Sequence, residues 1–225
     1  MAFKTLAEIR TELVNVDLGL LEDTDDRFGD VTARNVAITD AFRRLWPTMA
    51  RLVREDVAIE DRAVDYTLAT IRDLLTLEIL DSEGIVVKEE RNWRTWVDEQ
   101  GDPPTVRLLK NRGWSAQAGI SVRAVGYTPY QAPYEYDSEG LVEVPCDLEE
   151  RLLWIVVYGA RAFLYRRRFN QWVDFEQHQV QNRDNATSPS ELFSMYQDSE
   201  RQFQQGIADH GRTLVLPKTA RLRRR

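Results

Sequence analysis

The sequence predicts an α+β protein: a helical bundle of about four helices with an inserted small antiparallel β-domain. Three observations lead there. Apolar residues recur at spacings of three and four near both ends of the chain, from Leu6 to Leu52 and again from Leu148 to Ile207, the helical period. Between them the period drops to two and turn residues punctuate it. At 225 residues and 43% apolar composition, the chain can fill one large core or two smaller ones.

The first element is a short amphipathic helix from Thr5 to about Val16, carried by Leu6, Ile9, Leu13 and Val16 and opened by the capping box Thr5-Leu6-Ala7-Glu8. The acidic run Glu22-Asp23-Thr24-Asp25-Asp26 reads as a solvated turn. Counted from Asp23 as a calcium loop, it places Phe28 where glycine is required and Arg34 where a bidentate glutamate is required. From Thr32 a second helix carries Ile38, Phe42, Leu45, Met49 and Leu52 on one stripe, with a kink or restart expected at Trp46-Pro47 because proline removes an amide. Residues 1–60 thus form a helical hairpin whose apolar faces need a further partner.

Residues 61–145 read as the antiparallel β-domain, of about five strands. Val64, Tyr66 and Leu68 alternate, as do Leu75, Leu77 and Ile79. Asp81-Ser82-Glu83-Gly84 is a turn signal before the β-branched run Ile85-Val86-Val87, and further strands are expected at Val106 to Leu109 and Ile120 to Val125. Trp93, Trp96 and Trp114 lie here, and Tyr127, Tyr130, Tyr134 and Tyr136 are expected to share a loop with Pro129 and Pro133. Acids flank the first two tryptophans, which disfavours stacking on nucleic-acid bases and favours core packing or a protein contact.

Residues 146–211 return to helix. Asp147 with Glu150 suggests a cap, and Leu148, Leu152, Ile155, Gly159, Ala162 and Phe163 mark a broad apolar face. The run is too short and too closely flanked by arginines to span a membrane, so it is expected to be the central helix of a bundle or of a subunit interface, with Gly159 and Ala162 permitting close approach. The last helix opens at Ser188-Pro189-Ser190-Glu191, carries Leu192, Tyr196, Phe203 and Ile207 on one stripe, and is expected to end at His210-Gly211 with a left-handed glycine. Residues 212–225 read as a flexible basic tail.

Charge divides unevenly. The whole chain carries −7, but the first 217 residues hold 25 bases against 37 acids, or −12, while Lys218, Arg221, Arg223, Arg224 and Arg225 stand without an acid. A conventional basic nucleic-acid binder is disfavoured. The single cysteine, Cys146, cannot form an internal disulfide, and the start lacks a signal-peptide run, so a soluble intracellular protein is expected. His178 and His210 have no cysteine partners in a zinc spacing, and no Walker loop, dinucleotide fingerprint or nucleophile elbow occurs. No catalytic residue, metal ligand or cofactor is assigned.

Helix pair, β insertion, long helix, capped last helix and tail, in that order, resemble the head-to-tail adaptor proteins of tailed bacteriophages. The local features that carry the resemblance are the acidic turn before a helix ending in Leu45-Trp46-Pro47, Tyr66-Thr67-Leu68 opening the β region, Val144-Pro145 before the apolar helix, and Ser188-Pro189-Ser190-Glu191 before the last. Members with an insertion often follow the Tyr-x-Leu strand with proline, whereas here Ala69 follows.

The resemblance implies a structural virion protein and not an enzyme. It would be made in the bacterial host cytoplasm and sit at the capsid–tail junction, in a ring typically of twelve copies between the portal and a downstream neck or stopper protein. DNA would pass through its channel without sequence-specific binding, and no membrane is involved. It further implies portal docking by the C-terminal segment, here Leu222 with Arg221, Arg223, Arg224 and Arg225. Gly159, Ala162, Tyr127, Tyr130 and Tyr134 are candidates for a subunit or neck-protein interface. The residues also leave open another neck component, such as a stopper or tail-completion protein, and a monomeric protein-binding module.

Overall fold

The computed structural model describes residues 6–15, 31–57, 65–90, 93–96, 105–108, 121–137, 140–144, 146–176 and 188–212. The chain divides into two compact units, one made of Met1–Met49 with Tyr130–Arg225, the other of Ala50–Pro129. Each has its own apolar core.

In the first unit, helices α1 (Leu6–Asn15), α2 (Val31–Leu45), α3 (Leu153–Glu176) and α4 (Pro189–His210) build one bundle. Ile9 and Leu13 of α1, Ile38, Phe42 and Leu45 of α2, Ile155, Val156 and Leu164 of α3, and Phe203 and Ile207 of α4 meet in the core. α3 packs on the other three helices. Its consecutive residues Ile155, Val156 and Val157 are all buried, as are Ala160, Arg161 and Ala162. Three successive positions sweep about 200° of a helical wheel, so this helix is enclosed on most sides, which a helix apolar all round requires.

α2 ends at Leu45, and the backbone turns through Trp46 to Met49. The Trp46–Pro47 peptide is cis. Leu52, predicted on the helical stripe, instead lies exposed on a strand, because Pro47 has already ended the helix and Arg51 onward pairs with a later strand. The Asp147 carboxylate accepts the backbone N–H of Gln131 at 3.0 Å, and α3 is entered through a short 3-10 turn at Glu150–Leu152 without a side-chain cap. Ser188 and Glu191 do form the predicted capping box at the start of α4, with Pro189 at its first position. Gly211 ends that helix in an extended rather than a left-handed conformation. Its need for glycine is steric, since a Cβ there would stand 2.4 Å from the Ile207 carbonyl oxygen and 2.5 Å from Thr48. The Thr5 cap lies outside the described residues.

The second unit contains β1 (Arg51–Val57), β2 (Asp65–Thr67), β3 (Asp73–Leu80), β4 (Val86–Glu90), β5 (Trp93–Trp96), β6 (Thr105–Leu108) and β7 (Ser121–Thr128). They form a four-stranded sheet in the order β1-β7-β3-β4 and a three-stranded sheet in the order β2-β6-β5, antiparallel throughout. β8 (Tyr134–Asp137) and β9 (Gly140–Glu143) make a hairpin in the first unit. The β region is richer than five strands and starts about ten residues earlier than the expected boundary at residue 61, because β1 belongs to it. Tyr127, Tyr134 and Tyr136 are strand residues rather than parts of one loop.

Within β3 the period-two reading fails at one point. Leu74, Leu77 and Ile79 are buried while Leu75 is exposed, since a register shift between Leu74 and Thr76 moves one residue out of the alternation. Gly84 takes φ of +79° in the β3–β4 turn, where the Asp81 carboxylate accepts the amides of Glu83 and Ile85, both at 2.9 Å. Among the described residues no helix is long and apolar enough to cross a membrane.

A helical groove and the anchored end of the last helix

α2, α3 and α4 leave a groove of about 580 Å3 between them. Its apolar wall is Ala162, Phe163 and Tyr196, and its polar groups are Asp40, Arg44, Arg166, Arg167, Asn170 and Glu200. α2 supplies Arg44 four residues after Asp40, the spacing that places both on one side of a helix. Arg44 Nη1 stands 4.0 Å from Asp40, Nη2 donates to Glu200 Oε1, and the guanidinium lies 4.4 Å from the Phe203 ring centroid. Gln204 Nε2 adds a second donor to the same Glu200 oxygen at 2.8 Å. Burial raises the Glu200 pKa, but the bonds from Arg44 and Gln204, with the charges of Arg44 and Arg166, outweigh it and hold the carboxyl below its ordinary value.

Chemically this is a clamp rather than a reaction centre. A carboxylate kept ionised by an arginine is the opposite of a general acid poised to deliver a proton. Arg166 and Arg167 are exposed at the rim, so the groove offers guanidinium donors beside an apolar wall, a surface suited to a protein segment bearing carboxylates. Among the described residues no group of three or more His, Cys, Asp or Glu could hold a metal ion. Burial pushes the Cys146 thiol above its ordinary range.

A second polar arrangement fixes the end of α4. The Arg212 amide donates to the Thr48 carbonyl at 2.8 Å, Arg212 Nε donates to the Pro47 carbonyl at 2.9 Å, and its guanidinium lies 5.5 Å from the Trp46 ring centroid. Both ends of this clasp belong to the helical unit.

Two of the predicted interface residues, Gly159 and Ala162, lie inside the helical bundle. Gly159 faces the bundle's own interior: a Cβ there would stand 2.7 Å from the Phe203 ring and 2.9 Å from the Ala41 Cβ. Ala162 is fully buried. The close approach that Gly159 permits is therefore made to α4 and α2 of the same chain. Tyr127 is half-buried on β7, Tyr130 packs against the helical core, and Tyr134 lies in β8 opposite Glu143. Arg221, Leu222, Arg223, Arg224 and Arg225 lie outside the described residues. Sequence reasoning missed Arg44, Glu200, Trp46 and Arg212. Arg44 and Glu200 are 156 residues apart, and no local pattern links them.

No protein-family model matches the chain, and no curated protein does. Among solved structures it is similar to a chain in the virion of a native gene transfer agent particle, at 15% identity and a TM-score of 0.32, over 86% of this chain and 87% of that one. It is similar to a chain in the neck of the empty particle computed with C6 symmetry, at 15% identity and 0.31, over 86% and 87%. A chain in the neck of the native particle computed with C12 symmetry matches at 16% identity and 0.28, over 86% of each. Likeness at these values carries no inference about this chain.

Proposed function

We propose that this protein is a structural subunit of a head-to-tail adaptor ring, seated between a portal and the next neck protein and extending a DNA channel. The observation that carries the proposal is the interrupted bundle. Helices from both ends of the chain share one core, while the strands between them build a separate one. A long α3 enclosed on most sides, a capped α4 and a basic segment leaving α4 follow in the order that the adaptor resemblance implies.

The charge partition supports the same role. An acidic body repels phosphates, so a channel built from it lets DNA slide rather than stick. The basic segment calls for a different partner, an acidic protein surface, to which arginines can donate in pairs. The clasp at Trp46, Pro47 and Thr48 holds α4 at the point from which that segment departs.

Deleting residues 218–225 tests this. Attachment to portal-bearing capsids, scored by imaging particles for density at the vertex, should be lost while circular dichroism stays unchanged. Undiminished attachment would remove the tail from the docking role. A full-length chain that never attaches to such capsids would overturn the adaptor reading itself.

A further inference from the structure

The groove between α2, α3 and α4 holds one set of charges that is already neutralised and another that is not. Arg44 is taken up by Asp40 and Glu200, and Gln204 also donates to Glu200, so none of these groups is available to an occupant. Arg166 and Arg167, at the rim, are different. Both are exposed, and neither makes a hydrogen bond or ion pair to the described residues; Arg166 reaches Glu200 only as a charge at a distance. Two adjacent guanidiniums thus keep their full sets of donors.

An aromatic wall adjoins them. Phe163 and Tyr196 line the groove, and the Phe193 ring links Tyr196, 6.0 Å away, to Phe169, 5.4 Å away on α3. Phe193 is 41% exposed. Apolar rings open to solvent beside uncompensated arginines fit a chain segment that offers apolar side chains and carboxylates next to one another.

The sequence itself carries such a segment. Residues 17–30 hold six acids, Asp17, Glu22, Asp23, Asp25, Asp26 and Asp30, against one base, Arg27, a charge of −5. Leu20-Leu21 stands directly before Glu22-Asp23, which matches an apolar wall beside two guanidiniums. Within one molecule this stretch runs into α2 at Val31, and Arg44 lies thirteen residues further on, about 20 Å along the helix. Covering that distance in reverse takes about six extended residues, so Asp25, Asp26 and Asp30 would serve only as the return path. A second copy offers the whole stretch without that constraint.

We infer that the groove receives residues 17–30 of a second copy, with Leu20 and Leu21 against Phe163 and Tyr196, and Glu22 and Asp23 on Arg166 and Arg167. Each carboxylate can accept two parallel N–H bonds from a guanidinium. Groove and segment are different surfaces, so the contact is head-to-tail. Its closure into a ring rests on the adaptor reading; the contact itself requires only a second copy of this chain.

The test follows self-association of the full-length chain by sedimentation velocity across a concentration series. R166E/R167E and E22R/D23R, made separately, each set like charges against one another and should raise the dissociation constant about tenfold or more. Mixing the two should restore association, because the reversed segment of one meets the reversed groove of the other, and the remaining pair is unaltered. Restoration also shows that both variants are folded. A labelled synthetic peptide of residues 16–30 reads the groove directly. It should bind E22R/D23R, whose groove is intact, about tenfold more tightly than R166E/R167E, and the same peptide with every Asp and Glu replaced by Asn and Gln should lose that advantage. A wild-type chain that stays monomeric throughout the series overturns the contact. So do variants that associate as the wild type does, a mixture that stays apart, or a peptide that binds equally with and without its carboxylates. Imaging on capsids judges the adaptor reading separately, because a ring built through other surfaces would still decorate the vertex.

Discussion

Glu200 shows how a single carboxylate can tie together helices distant in sequence. It receives Arg44 from α2 and Gln204 from its own helix, with both members of the Arg44–Glu200 pair largely shielded from water. Replacing it by glutamine keeps the shape and removes the charge, and should cost about 1–2 kcal/mol of stability at neutral pH by urea denaturation. The pH dependence has a definite sign. Because the folded pKa lies below the ordinary 4.5, the stabilisation is complete above that value and is lost as pH falls through the folded value. The difference between wild type and E200Q should therefore be constant above about pH 5 and shrink in acid; a difference that widens in acid would contradict the assignment. Glu55 follows the same rule. Burial raises its pKa, but the amides of Ala69, Thr70 and Ile71 and the Thr70 hydroxyl win and lower it. Arg161 differs: it is 7% exposed, its Nε and Nη2 have no hydrogen-bond partner, and its guanidinium lies 5.4 Å from the Tyr158 ring centroid. Nothing in the run Tyr158 to Tyr165 marks it, since its apolar neighbours predict burial and its charge predicts exposure.

At the scale of elements, the helix-to-helix distance between α3 and its neighbours hangs on Gly159. Gly159→Ala improves intrinsic helix propensity by about 1 kcal/mol, yet drives a methyl into Phe203 and Ala41. Phe203 is fully buried and cannot swing away, so overpacking should win, with a net loss of about 1–2 kcal/mol measured by thermal or chemical unfolding. A stabilised variant would show that the helices separate freely. Elements with strong periodicity or caps were legible before the structure: α1, α4 with its Ser188 box, and the β3–β4 turn at Gly84 all follow from local chemistry. β1 was not, because Arg51 to Val57 extends a helical stripe in sequence and becomes a strand only by pairing with β7, some seventy residues later.

For the whole molecule, the insertion has one doorway. β1 begins at Arg51, paired with Thr128 at the end of β7, so the chain enters and leaves the second unit across one antiparallel pair, about 5 Å apart. The two cores share no residues. Replacing residues 51–128 with a short glycine-containing turn should leave the helical bundle folded, with helical circular dichroism and a cooperative melt. Loss of cooperativity would mean that the bundle depends on the insert. That the order of units was legible while the groove was not has a physical cause. Period and composition are properties of neighbours in sequence, whereas Arg44, Arg166 and Glu200 converge only once three helices have packed.

The clasp of Arg212 on Thr48 and Pro47 fixes the post from which the basic segment follows in the sequence. Residue 225 stays within about 45 Å of Arg212 even on a fully extended chain. If the C-terminal arginines dock as proposed, each is tethered to the post of its own subunit, and the docking of one segment in a ring holds the others near their sites at high local concentration. On that proposal, docking strength belongs to the circle of tethered segments more than to any one of them. It falls only gradually as residues are added between post and arginines, and collapses when the post itself is cut.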